Sequence, residues 1–293
     1  MSSSRTSEAA LFADVSDTAR WVAHYRALEA ERPDAIVRDP WARRLAGPRG
    51  RLIAEALPEL SLRWMIPVRA RIYDELLLET LAAGDFTTVL NLAAGFDTRP
   101  YRLALPPRLR FIEADLPHLL AEKTELLAAE RPRAALERIP LDLTDTAACD
   151  RLLSRLAAEK ERVLVVTEGV LAYLDEGAVT ALSRALHAAP AVHAWIVEAA
   201  LPEVLVRAQK AWGAALARGN ATMKFAPASG IEFFRAQGWR VEVTRSLLEE
   251  AEGFGRQMRF APVARAVTKW LRGPDVWRRL AMYAVLTRQI PVN

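Results

Sequence analysis

The sequence predicts an α/β fold: a mainly parallel sheet with helices on both faces, a helical N-terminal extension and an insertion that forms a cap. Three observations carry this. From residue 87 onward, short apolar or β-branched runs alternate with helical stretches, as in a sheet built from strand–helix–strand units. One of those runs, VLVV at 163–166, is apolar without alternation, as a parallel strand covered on both faces should be. Roughly the first 85 residues, by contrast, carry helical periodicity.

The elements follow in order. Behind a Ser-Asp-Thr start, residues 16–31 place Trp21, Val22, Tyr25 and Leu28 at helical spacing, which predicts an amphipathic helix. Further helices are expected at 39–46, 50–58 and 60–83, the last with Pro67 early in it and Gly84 as its stop. Strands are expected at 87–92, 109–114, 162–169, 192–199, 239–245 and 282–288. The helix at 175–187 turns Val179, Leu182 and Leu186 to one side. Ser229 and Glu232 have the spacing of a capping box, and Gly238 is a helix stop before the next strand. The stretch 200–228, with Trp212 and MKFAP, is the expected insertion over a site.

Composition excludes several functions. The 40 basic residues against 36 acidic ones are scattered, so the slight positive balance does not point to nucleic acid. A single cysteine, Cys149, rules out an internal disulfide and a multi-thiolate metal site, and suits a reducing compartment. No stretch approaches the ~18 apolar residues of a membrane span and the start lacks a signal-peptide pattern, so a cytoplasmic protein without a membrane partner is expected. No HExxH, GxSxG or P-loop pattern occurs. Glu113 and Asp115, two apart on a strand, share a face and cannot straddle a scissile bond.

What remains is the loop AAGFDT at 93–98, which follows the first strand, with the acids Glu113 and Asp115 about 20 residues on. In doubly wound sheets such a loop meets a nucleotide-like ligand and such an acid takes its ribose. A dinucleotide needs a glycine-rich turn for its pyrophosphate, and this loop offers only Gly95. S-adenosylmethionine carries no phosphate, so one close-approach glycine suffices. The spacing favours it and leaves NAD open.

VLNLAAGFDTRPYRL, then FIEADLPHLLAEKTELL, IPLDLTD and TEGVLAYL, in this order, resemble the leucine carboxyl methyltransferase family. The likeness extends upstream through SDTARWVAHYRALEAERPDAIVRDPWARRLAG and VRARIYDELL and covers about 16–174. The family belongs to the class I S-adenosylmethionine-dependent methyltransferases and includes polyketide O-methyltransferases of the tetracenomycin type. The resemblance implies a Rossmann-like methyltransferase sheet, with 1–15 a mobile N-terminus and 16–293 one domain. Within that domain, 16–85 would be the extension or lid, 86–199 the cofactor-binding core, 200–238 the cap and 239–293 the last part of the sheet.

It also implies roles. Arg71 would meet the methionyl carboxylate, a pairing that suits guanidinium. Gly95 would pass close to the donor, and Ala93 stands where the family usually has another glycine. Asp115 would hold the ribose, Asp142 and Leu143 would flank the adenine, and Glu168 would lie near the donor's amino group. Asp97, Arg99, Tyr101 and Arg102 more simply tie the loop to neighbouring helices. After Asp142 the chain reads LTDTAAC, without the acid and aromatic frequent in the family.

The expected enzyme transfers methyl from S-adenosyl-L-methionine to a carboxylate or hydroxyl of a small molecule, polyketide-like metabolites among them. A carboxylate acceptor needs no general base, whereas a phenol benefits from one. No base is assigned among His24, His118, His187 and His193, and no metal is expected. Weaker candidates for acceptor contacts are Arg20, Arg26 and Tyr173. A donor-binding protein without catalysis and a protein C-terminal carboxyl methyltransferase stay open as alternatives, and the oligomeric state is not readable.

Overall fold

The computed structural model describes residues 12–58, 62–257 and 260–288. Three helices come first, α1 (Ser16–Ala30), α2 (Ala42–Ala56) and α3 (Leu62–Ala83). Then follow β1 (Thr88–Leu92), α4 (Arg99–Arg102), β2 (Arg110–Asp115), α5 (Pro117–Leu126), β3 (Ala135–Pro140), α6 (Thr146–Ala158) and β4 (Val163–Thr167). A 3-10 turn at Leu171–Tyr173 leads to α7 (Glu176–Ala188), β5 (Val192–Ala200), α8 (Pro202–Arg218), α9 (Glu232–Arg235) and β6 (Trp239–Ser246). The chain closes with α10 (Leu247–Gly253), α11 (Ala261–Arg272), α12 (Pro274–Arg279) and β7 (Ala281–Arg288).

The strands form one seven-stranded sheet in the order β3-β2-β1-β4-β5-β7-β6. β1 to β5 pair in parallel, and β7 runs antiparallel between β5 and β6. Successive residues of the central strands alternate between two cores. Leu90, Leu92, Ile112, Val163 and Val165 pack with Leu153, Leu156, Val179 and Leu186, while Val89, Phe111, Leu164 and Val166 pack with Ile72, Leu76 and Leu77 of α3. Burial on both faces is why VLVV of β4 reads as a continuous apolar run.

Several expectations change. β3 escapes sequence reading because it is a half-exposed edge strand carrying Glu137 and Arg138. Its charges are a device of the edge, with Glu137 held by Arg110 at 2.5 Å and Arg155 at 2.9 Å. The two helices expected at 39–46 and 50–58 form one element kinked at Gly47, whose φ is +56°. The capping box of Ser229 and Glu232 does not form: the Glu232 amide donates to the Ser229 backbone carbonyl at 3.3 Å, and Ile231 at the N-cap supplies no side-chain bond. Of the N-terminal 1–15 expected to be mobile, 1–11 lie outside the described residues. Phe12 is fully buried against Trp21.

Helix α8, within the expected insertion, packs on the N-terminal helices. Trp212 of α8 packs edge-on against Trp21 of α1 at 5.4 Å and donates its indole N–H to the Pro58 carbonyl at 2.8 Å. The amides of Lys224 and Phe225 then bond the carbonyl of Ala172, next to β4. Extension and cap are thereby fastened over the carboxyl ends of the strands, where strand order reverses between β1 and β4.

Candidate cofactor site

At that switch point lies a cavity of about 390 Å³, within the usual range for a small-molecule pocket. A second hollow, beside Trp64 and Trp277, holds only about 10 Å³, no more than a single water could use.

The loop after β1 is shaped by two left-handed residues, Ala93 (φ +54°) and Gly95 (φ +48°). The Ala93 amide bonds the Ala114 carbonyl at 2.8 Å, and the Gly95 amide donates to Asp115 Oδ2 at 2.6 Å. Asp115 Oδ1 takes the Leu116 amide at 2.7 Å. The ends of β1 and β2 are thus tied through one carboxylate. Burial raises the pKa of that carboxylate, against the two amides that favour its charge. Each oxygen keeps a lone pair for a further donor, which suits a pair of ribose hydroxyls. A Cβ on Gly95 would meet that of Ala19 at 3.4 Å, so it is the left-handed φ of +48° more than lack of room that favours glycine there.

Beyond β3, Asp142 Oδ1 accepts from the Thr144 amide and hydroxyl, both at 2.8 Å, in a turn flanked by Leu141 and Leu143. Beyond β4, Glu168 sits between two guanidinium groups: Arg69 Nε at 3.0 Å and Arg99 Nη2 at 2.7 Å. Arg99 also reaches Asp97 at 3.1 Å and Asp74 at 2.8 Å, and Asp74 is shared with Arg102. Asn91 fixes Asp97 from β1 at 2.7 Å. Three arginines thus face three acids in a buried cluster, and Glu198, which accepts the Gly169 amide at 2.5 Å, stands beside Arg69. Burial pushes the Asp97 carboxyl up, but Arg99, Lys123 and Arg102 outweigh it and hold it at about 2. Glu168 is lowered by the same balance, burial opposed by Arg99 and Arg69. Both are anionic at neutral pH.

Ala93, Gly95, Asp115, Asp142, Leu143, Glu168 and Tyr173 all line this cavity. Arg71 does not, and this is a correction. It pairs with Glu75 at 2.7 Å and lies over the Phe254 ring, on the far side of α3. Two positions along a helix turn a side chain by roughly 200°, and Arg69 is the residue of VRAR that reaches the cavity. A signal for it was present: Arg69 shares the stripe of Ile72, Tyr73 and Leu76, which face the sheet. Arg20 is also off the cavity wall, paired with Glu122 and, at 3.5 Å, with Asp17. Arg26 lines the cavity, yet its guanidinium holds Asp39 at 3.0 Å and the Phe96 carbonyl at 2.5 Å, so it braces the loop. Asp97, Arg99 and Arg102 tie the loop to α3 and form the cavity wall as well. Sequence reading also missed Thr18, Asn91 and Asn220 in that wall. Among the described residues no histidine lines the cavity, and no group of side chains could hold a metal ion.

A switch-point cavity under a single-glycine loop, with an acid at the end of β2 and an antiparallel β7 between β5 and β6, is the arrangement of a class I methyltransferase, whose cofactor is S-adenosylmethionine. The fold agrees with a methyltransferase of Thermobifida fusca, provisionally so named, whose crystal structure superposes with a TM-score of 0.57 at 14% identity, covering 98% of this chain and 100% of that one. The model of the leucine carboxyl methyltransferase family matches residues 19–187, and the chain belongs to that family. A relative from Streptomyces avermitilis, provisionally named an S-adenosyl-L-methionine-dependent methyltransferase, is 30% identical over 84% of this chain and 89% of its own length. One from Streptomyces coelicolor with the same provisional description is 38% identical, over 56% of this chain and 62% of its own length.

Proposed function

We propose that the protein methylates a carboxylate oxygen of a small molecule, with a hydroxyl as the second acceptor class. The observation that carries this is the absence of a usable base among the described residues of the cavity wall. No histidine, lysine or cysteine is there, Asp97 and Glu168 are held anionic by arginines, and Asp115 and Asp142, each already accepting a backbone amide, are given to the donor in this reading. A carboxylate arrives already ionised and needs no proton removed.

The residues fit the donor. Asp115 would accept from the ribose hydroxyls and Asp142, with Leu141 and Leu143, would border the adenine. Arg69 takes the role expected of Arg71. Its Nε is engaged by Glu168, while Nη1 and Nη2 lie 3.4 and 3.6 Å from where a Cβ on Gly169 would be. That fork suits a carboxylate. A cluster of paired arginines and acids suits a zwitterionic amino acid tail, which brings no net charge into a buried site. Bound there, S-adenosylmethionine supplies a methyl group on a positively charged sulfur that departs as a neutral thioether. The chain's part is alignment and exclusion of water: Val15, Ala19, Val22 and Leu174 border the cavity with apolar surface, and Tyr173 stands among them.

The test uses donor carrying a labelled methyl and a panel of carboxylic and phenolic metabolites. Methyl esters release labelled methanol in mild alkali, whereas phenol ethers do not. Alkali-labile product is expected. Alkali-stable product would move the reading to a hydroxyl acceptor. Tight binding of S-adenosylhomocysteine with no turnover on any acceptor would favour a donor-binding protein without catalysis.

A further inference from the structure

Outside the cavity, the exposed apolar surface gathers in one place. Of eight large apolar side chains that stand exposed among the described residues, five lie within 260–271: Phe260, Val263, Val267, Trp270 and Leu271. Trp270 is 83% exposed, well above what a tryptophan ordinarily shows. Val263, Val267, Trp270 and Leu271 recur at i, i+4, i+7 and i+8, so they share one face of α11, and Arg265 and Lys269 take the other. α11 has its one extensive packing contact with α12, so this face is not turned into the core.

Two features say what covers it. Residues 260–279 carry Arg265, Lys269, Arg272, Arg278 and Arg279 against one acid, Asp275. Arg265 pairs with Glu252 and Arg278 with Glu249, and a positive excess remains after those pairs. An anionic surface would attract that excess, whereas a second copy would bring the same excess of positive charge with it. The helix is also well placed, because Ala281 at the start of β7 pairs with Ala200 at the end of β5. α11 and α12 therefore stand at the carboxyl rim of the sheet, the rim at which the cavity opens.

We infer that α11 is an interfacial helix that docks the protein on anionic lipid bilayers. Its apolar face enters the headgroup boundary and its cations remain at the phosphate level. Among the described residues no helix is long and apolar enough to cross a membrane, and an interfacial helix needs no such span.

The test is co-sedimentation of the full chain with vesicles of phosphatidylcholine alone, or of equal parts phosphatidylcholine and phosphatidylglycerol. Binding is expected on the mixed vesicles, much weaker binding on neutral ones, and release at high salt. Trp270→Glu should lower the bound-to-free ratio by about tenfold or more by placing a charge in the apolar face. Lys269→Glu should lower it by roughly fivefold for each unit of charge removed. Both positions are exposed, so thermal unfolding should be unchanged and serves as the folding control. Equal binding to both vesicle types, no binding to either, or no effect of Trp270→Glu would overturn the inference. So would a dimer in light scattering that Trp270→Glu dissociates, since the face would then be a surface between copies.

Discussion

The two halves of the cavity are built on different physics. On the strand-end side, Asn91, Asp97, Arg99, Asp115, Asp142 and Glu168 are charged or polar, and nearly every one is held by a partner from another element. On the side of α1 and the cap, Val15, Ala19, Val22 and Leu174 present apolar surface between the polar Ser16, Thr18, Arg26, Tyr173 and Asn220. The first half is specified by hydrogen-bond geometry and, on the proposed reading, holds what does not vary, the donor. The second is specified by shape and, on the proposed reading, receives the acceptor. Mutations should therefore separate: in the first half they should damage stability and donor affinity, in the second acceptor use alone.

The largest effect is expected from Arg99→Ala. This side chain is 3% exposed and serves Asp74, Asp97 and Glu168 together. Removing one partner of a buried ion pair costs about 3–5 kcal/mol because the other charge is left uncompensated. Denaturant unfolding should show a loss of that order, and a loss below about 1 kcal/mol would mean that the network does not brace the loop.

Next comes Asp115→Ala. Two hydrogen bonds to a carboxylate, each about 1.5–3 kcal/mol, predict a loss of at least roughly 100-fold in S-adenosylhomocysteine affinity by calorimetry. Asp115→Asn should fall between. Unchanged affinity in Asp115→Ala would remove the ribose from this position.

The contrast between the halves also explains what sequence could convey. AAGFDT, EADLP, PLDL and TEGV are contiguous, because a strand end and its loop deliver their residues to the site in one short run. Those residues could be named, and they line the cavity. The α1 and cap residues could not, since a wall of Val, Ala and Leu looks like any helix packing face. The Arg71 error has the same root: VRAR offers two arginines, and only the phase of α3 against the sheet separates them. The partners of a charged cluster were likewise hidden. Asp74 and Arg102 are separated by 28 positions, and nothing local links them. β3 was lost because a charged edge strand lacks the apolar run by which the other strands were found.

A pH profile sharpens the comparison from the electrostatic side. Asp97 is held at about 2, below its ordinary 3.8, and Glu168 is lowered from 4.5. A carboxyl whose folded pKa is depressed contributes stability that is fully present above its unfolded value and is lost as pH falls through the folded one. Stability should therefore decline as pH drops from about 4.5 towards 2, and Asp97→Asn should flatten that slope. An equal slope in wild type and variant would assign the acid sensitivity elsewhere.

On the acceptor side, Tyr173→Phe removes a phenol hydroxyl from the cavity wall. The loss is one neutral hydrogen bond, about 0.5–1.5 kcal/mol, so the acceptor KM should rise up to roughly tenfold while S-adenosylhomocysteine affinity stays constant. A matching fall in donor affinity would erase the division between the halves.

The smallest effect is expected at Ala93, where the family usually has glycine. Its φ of +54° lies in the left-handed region, which disfavours a residue with a Cβ by roughly 1–2 kcal/mol. Glycine would relieve that strain but gains chain entropy when unfolded, an opposing effect of about 0.5–1 kcal/mol. Ala93 is only half-buried, so its methyl packs little against the wall. Ala93→Gly should then stabilise the fold by a few tenths to about 1 kcal/mol in denaturant unfolding, and leave donor affinity within about twofold, a change worth under 0.5 kcal/mol. A loss of stability would show that the methyl is packed more tightly than its exposure implies. A large gain in donor affinity would show instead that the methyl narrows the pocket, and that the strain at Ala93 is tied to how loosely the donor is held.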